Sequence, residues 1–189
     1  MLADPTTPAS AEPAAAVEAA GATPWIGLVF STPTPLSANL TRLQAELADA
    51  ARIAAAAPGG TYFQVHWTHA IDGSGIELHF DDDEYAFLLK QAAVAITGAN
   101  AKAKVATTNL PAIPDLLRSF YSQDVAAYFE VVALGTIDPA LSAEVLSTLA
   151  ELDPGRPIVD LHPAPSGDAG AVLATAARAA ARVDGFDCT

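Results

Sequence analysis

This chain has little of three things: cysteine, basic residues and long apolar runs. Its single cysteine, Cys188, stands one residue from the C-terminus, so no disulfide within the chain and no cysteine metal cluster can form. Nine Lys and Arg face 22 Asp and Glu, a formal charge of −13. A chain this acidic repels phosphate backbones and anionic lipid surfaces, which argues against nucleic-acid and membrane partners. No apolar run approaches the ~20 residues needed to span a bilayer. A Gly-rich phosphate loop, a GxSxG elbow and a basic aromatic patch are also missing from the sequence.

What remains is an apolar, globular text. Just over half of the 189 residues are hydrophobic, enough for one domain with a sizeable core. The first 23 residues are mostly Ala, Pro, Thr and Glu. They offer little to bury, so residues 1–23 are expected to form an Ala/Pro-rich disordered tail or linker, with no regular structure packed on the domain that spans 24–189. The tail does not read as a secretory leader, because the first basic residue is Arg42.

From Trp25 onward, apolar runs of strand length alternate with amphipathic stretches of helix length. Strands are expected at 25–31, 61–67, 103–107, 129–134 and 157–161. The helix after the first strand is marked by Leu36, Leu40, Leu43, Leu47, Ala50 and Ala54 and ended by Pro58 to Gly60. A loop with Gly73 and Gly75 leads to the next helix, where Asp81 can cap, Glu84 holds the capping-box position, and Tyr85, Leu88, Ala92 and Ile96 form one stripe. Gly98 stops it. IPDLLRSFYSQ is the third helix, Asp138-Pro139 opens a fourth, and residues 168–183 read as a fifth. Five β-then-α units with apolar strands predict an α/β fold with a parallel sheet and helical crossovers. The pattern fits an open five-stranded sheet or a partial barrel, since a closed eight-stranded barrel typically takes ~250 residues.

The run EYAFLLKQAAVAITGANAKAKVATTNLP, followed by IPDLLRSFYSQDVAAYFEVVAL, resembles the middle of clan A glycoside hydrolases. The resemblance rests on Tyr85, Leu88, Leu89, Ala95, Ile96, Ala99, Asn100, Ala103, Lys104 and Val105, then on Leu117, Tyr121, Tyr128, Phe129, Glu130, Val131, Val132 and Ala133. It implies a (β/α)8-type barrel, here with about five units, and an extracellular or periplasmic setting. The family's acid/base glutamate, in an Asn-Glu pair after a strand, falls at Trp67 and Thr68. Its nucleophile, at the end of a Pro-Ile-Trp-Val-Thr-Glu strand, falls at His162 in Pro157-Ile158-Val159-Asp160-Leu161-His162. Gly135-Thr136-Ile137 stands where the family carries an aromatic loop. Retaining glycosidases need two carboxyl groups ~5–5.5 Å apart, one to donate a proton and one to attack. Neither Thr68 nor His162 can fill those roles.

The resulting expectation is a degenerate glycoside hydrolase-like domain that binds carbohydrate or another protein, without a cofactor. An incomplete barrel would also leave an open edge for a protein partner or a second copy. Two alternatives stay open: an active hydrolase using relocated carboxylates or a His/Asp metal site, and a structural domain of a larger assembly. Asp160 is the candidate relocated nucleophile, with Asp72 or Glu77 as its partner acid. His66, His69, Asp160 and His162 are the candidate metal set, since imidazoles and a carboxylate suit zinc or iron. Trp25, Tyr62, Trp67 and Phe80 are candidate sugar-stacking rings, with His66 and His69 beside them. The acids of Asp81 to Glu84 are explained by a helix N-terminus.

Overall fold

The computed structural model describes residues 12–72, 79–135 and 142–160. Within them lie five helices, α1 (Glu12–Ala19), α2 (Leu40–Ala56), α3 (Asp82–Ala99), α4 (Pro114–Ser122) and α5 (Ser142–Leu152), and seven strands. The strands are β1 (Trp25–Phe30), β2 (Tyr62–Trp67), β3 (Ile71–Asp72), β4 (His79–Phe80), β5 (Lys104–Ala106), β6 (Val132–Leu134) and β7 (Ile158–Asp160). The fold is mixed α/β, with parallel strands in small sheets. β1, β2 and β5 form one parallel sheet in that order, and β6 and β7 form a parallel pair. Parallel bridges Ala106↔Val131 and Leu110↔Leu134 link the two.

All five expected strands are present, and none pairs antiparallel with another of the five. The structure departs from the sequence reading in several places, one being that α3 runs through Gly98 to Ala99 instead of stopping at the glycine. β3 and β4 form a short antiparallel pair where only a loop was expected. Within the segment read as a tail, Glu12–Ala19 is helical, with no large side chain buried among residues 14–19. Alanine carries the lowest helix cost of any residue. Gly21, at φ +80°, then closes the helix as a Schellman motif, with Ala22 N–H donating to the Val17 carbonyl and Gly21 N–H to that of Glu18. The expected helix over 168–183 and the helix start at Asp138-Pro139 lie outside the described residues.

Strand alternation divides the sheet into two faces. Leu28, Phe30, Phe63, Val65, Trp67, Val105, Val132 and Leu134 are buried on one of them, in a core shared with the helices. Leu43, Ala50 and Ala54 of α2, Tyr85, Leu88, Leu89 and Ile96 of α3, Leu117 and Phe120 of α4, and Val145 and Leu149 of α5 complete that core. Each large side chain so buried contributes roughly 1.5–3 kcal/mol. On the opposite face Ala106, Val131 and Val159 form a second, smaller cluster, against which Trp25 and Tyr62 pack.

The residues shared with the glycosidase pattern have structural tasks. Tyr85, fully buried, donates its hydroxyl proton to the Val65 carbonyl at 2.9 Å and accepts from Thr108 N–H at 2.5 Å. Asn100 donates to the carbonyls of Ala54 and Ala57 at 3.0 and 3.2 Å, serving the C-terminal end of α2. Glu130 accepts from Val105 N–H at 2.6 Å.

Two more carboxylates hold the segment after β1. Glu46 accepts from the backbone N–H groups and hydroxyls of both Ser31 and Thr32, at 2.8–3.2 Å. Asp81 caps α3 as expected, accepting from Glu84 N–H at 3.3 Å. Glu84 does not close a capping box. Its carboxylate instead accepts from Leu36 N–H at 2.7 Å, and the Asp81 N–H donates to the Ala70 carbonyl.

Candidate functional site

The strand face opposite the helices carries the polar groups that the core excludes. Register places Trp25 beside Tyr62, Gly27 beside Gln64 and Val29 beside His66, and places Tyr62 and Gln64 beside Lys104 and Ala106. Trp25, Tyr62 and Lys104 stand at the N-terminal starts of their strands. His66 stands near the C-terminal end of β2, with Thr107 and Thr108 just past β5. Gln64 lies between the two ends.

A hydrogen-bonded row runs across this face. The Trp25 indole N–H donates to Gln64 Oε1 at 3.2 Å, and Gln64 Nε2 donates to Asn109 Oδ1 at 2.8 Å. Gln64 is only 4% exposed, so a buried amide finds its partners within the protein. Trp25 also stacks on Tyr62, with ring centroids 5.0 Å apart and planes 19° from parallel. Lys104 lies over the Tyr62 ring at 4.8 Å and donates to its hydroxyl at 3.1 Å. Both aromatic rings are half-buried, leaving part of each surface open.

Beside the row, His66 Nδ1 and Thr108 Oγ1 are 3.3 Å apart. Burial disfavours the charged imidazole and lowers the His66 pKa below its ordinary value of 6.5. The ring is therefore neutral at physiological pH and presents one donor and one acceptor. A Cβ at Gly27 would sit 3.4 Å from His66 Cδ2 and 3.5 Å from Nε2, so the imidazole lies against the bare backbone of β1.

The sequence candidates separate in space. Trp25, Tyr62 and His66 share the polar face. Trp67 and Phe80 belong to the core instead: the Trp67 indole donates to the Thr32 carbonyl at 2.8 Å, and Phe80 packs on Tyr85 and Phe120. Neither ring is open to a ligand. Thr68 is exposed immediately after β2, its N–H donating to the Phe30 carbonyl at 3.0 Å. His69 is exposed and meets Trp67 edge-on at 5.9 Å. Asp72 pairs with His79 in the β3–β4 register. Asp160 pairs with Leu134 in the β6–β7 register. His162 and Glu77 lie outside the described residues. Among the described residues, no group of three or more His, Cys, Asp or Glu is placed to hold a metal ion.

Gln64 and Asn109 escaped the sequence reading. Neutral amides carry no charge signal, and only the register of β2 against β5 shows that they meet.

Within the described residues this face offers amides, hydroxyls, an imidazole, an amine and two aromatic rings. Such groups bind oxygen-rich neutral molecules by hydrogen bonds and stacking. None of the described helices is long and apolar enough to cross a membrane. No family model matches this chain, and neither the curated proteins nor the solved structures contain a match to it.

Proposed function

We propose that this chain is a non-catalytic, glycoside hydrolase-like domain whose polar strand face binds carbohydrate. One observation carries the reading: the row Trp25–Gln64–Asn109, with Tyr62 stacked at one end and His66–Thr108 alongside, joins the polar face of β1 and β2 to the segment after β5. An aromatic face suits the apolar face of a pyranose, and amides and hydroxyls suit its oxygens. Of the residues matched to the glycosidase pattern, Tyr85 holds this site from the core side, accepting from the Thr108 N–H.

Hydrolysis by the family's route calls for one carboxyl group as acid/base and one as nucleophile. Thr68 supplies neither at the first position, and His162 is not a carboxylate at the second. Loss of one member of such a set costs orders of magnitude in rate, and here both positions are changed. The domain accordingly retains sugar recognition without turnover.

The test is a binding screen of purified protein against soluble glucans, mannans, xylans and galactans by affinity electrophoresis, with aryl glycosides assayed in parallel. Retardation by at least one polysaccharide, with no release of the aryl group, is expected. Turnover abolished by Asp160→Asn would replace this reading with a relocated nucleophile. No retardation by any glycan would sink the carbohydrate reading and favour a protein ligand.

A further inference from the structure

The hydrogen-bonded row has a direction, and its direction assigns a role to Asn109. An indole N–H can only donate. At 3.2 Å from Trp25 Nε1, the facing atom of the Gln64 amide must be its oxygen. The Gln64 NH2 then points the other way, 2.8 Å from the Asn109 amide, where it needs an acceptor. Asn109 must meet it with Oδ1. Turning Gln64 around would set donor against donor at Trp25, and an amide this buried has no water to compensate. The orientation of both amides, ordinarily an assignment choice, follows here from one indole.

What remains at the end of the row is the Asn109 NH2, which has no protein acceptor among the described residues. Asn109 is half-buried, next in sequence to the buried Thr108. We infer that Asn109 contacts the ligand as a hydrogen-bond donor to a sugar oxygen, with Trp25 and Gln64 as the positioning residues that fix its amide. This assignment rests on the carbohydrate reading above and narrows it. The favoured ligand places an acceptor, a ring or hydroxyl oxygen, over Asn109, and a ligand offering only N–H groups there is rejected.

Three variants test the chain of donors. Asn109→Asp keeps the acceptor for Gln64 but replaces the outward donor with an acceptor. Gln64→Glu keeps the acceptor for Trp25 but has no N–H for Asn109, which frees its amide to turn. Asn109→Ser, smaller and still able to donate, serves as the partial rescue. Cellohexaose and mannohexaose are titrated calorimetrically into the parent and each variant, with melting temperatures recorded to confirm folding. For whichever oligosaccharide binds, Asn109→Asp and Gln64→Glu should each weaken affinity about tenfold or more, the worth of one well-placed hydrogen bond. Asn109→Ser should lose less than Asn109→Asp. In the free protein, nitrogen-resolved NMR should show the Gln64 side-chain NH2 protected from water and that of Asn109 exchanging rapidly. Binding by the parent that Asn109→Asp leaves unchanged would overturn the assignment while leaving the carbohydrate reading intact. Equal exchange of the two amides would overturn the direction of the row. If neither oligosaccharide binds and no polysaccharide retards the protein, the sugar contact falls together with the reading it rests on. Retardation by xylan or galactan alone moves the same titrations to the matching oligosaccharide, with the same outcomes.

Discussion

At the scale of single residues, the Glu46 carboxylate serves four donors of Ser31 and Thr32. Thr32 is fully buried, so removing the acceptor strands donors that water does not reach. Glu46→Ala is expected to cost about 2–4 kcal/mol in a denaturant titration, and Glu46→Gln less, since hydrogen bonds to charged groups are worth ~1.5–3 kcal/mol. His66 sets a pH dependence. Its folded-state pKa is depressed, so below the ordinary value of 6.5 the unfolded chain takes up the proton more readily. Stability is then fully present above about pH 6.5 and is lost as pH falls toward the depressed value. Denaturant midpoints measured from pH 7.5 to 5 should fall in the parent, and His66→Gln should flatten that part of the slope. The histidines stood out in the sequence because their chemistry is visible in the letter alone. Trp67 did not sort correctly because β2 carries an aromatic ring on each face, Tyr62 on one and Trp67 on the other, and alternation does not say which face is covered. Phe80 lies in the two-residue β4, too short for a period to read. Gln64 and Asn109 were illegible for a different reason: their meaning lies in a pairing across two strands.

At the scale of elements, Asn100 joins two helices' ends to the turn before β5. It donates to two carbonyls at the end of α2 and accepts from Lys102 N–H at 3.1 Å. Asn100→Ala should lower stability by about 1–2 kcal/mol, comparable to the loss of a helix cap, with faster amide exchange in the last turn of α2 as the local readout. Strands and helices were largely readable, because long periodic segments bury one face and their spacing records it. The β3–β4 pair was not, since two residues per strand leave no period to read. Glu84 shows how a correct local signal finds another partner. It has the capping-box position, but Leu36 N–H lies within reach and takes its carboxylate. The helix at Glu12–Ala19 was hidden by composition: the Ala-rich text reads as a tail until Gly21 is recognised as a stop signal.

At the scale of the molecule, the charge of −13 separates two kinds of ligand. A sugar held by amides, hydroxyls and rings should bind with nearly the same affinity at 50 and 500 mM salt. A cationic ligand drawn by the acidic surface should weaken severalfold over that range. Calorimetry at both salt concentrations distinguishes them, and a steep salt dependence would count against recognition through the neutral face. The parallel order that was legible in the sequence also bears on how the chain reaches this state. In β1–β2, β2–β5 and β6–β7, each strand meets a partner lying a whole strand–helix unit away along the chain. Of the paired strands described, only β3 and β4 are close neighbours in sequence. The sheet therefore cannot start from a hairpin, and its closures of long loops make folding slow relative to a helical bundle of equal length. Yet β1, β2 and β5 also lie side by side in the order in which a ribosome delivers them. Each new strand can add to an edge already formed, so synthesis from the N-terminus supplies in time the sequence of contacts that a refolding chain must find by search.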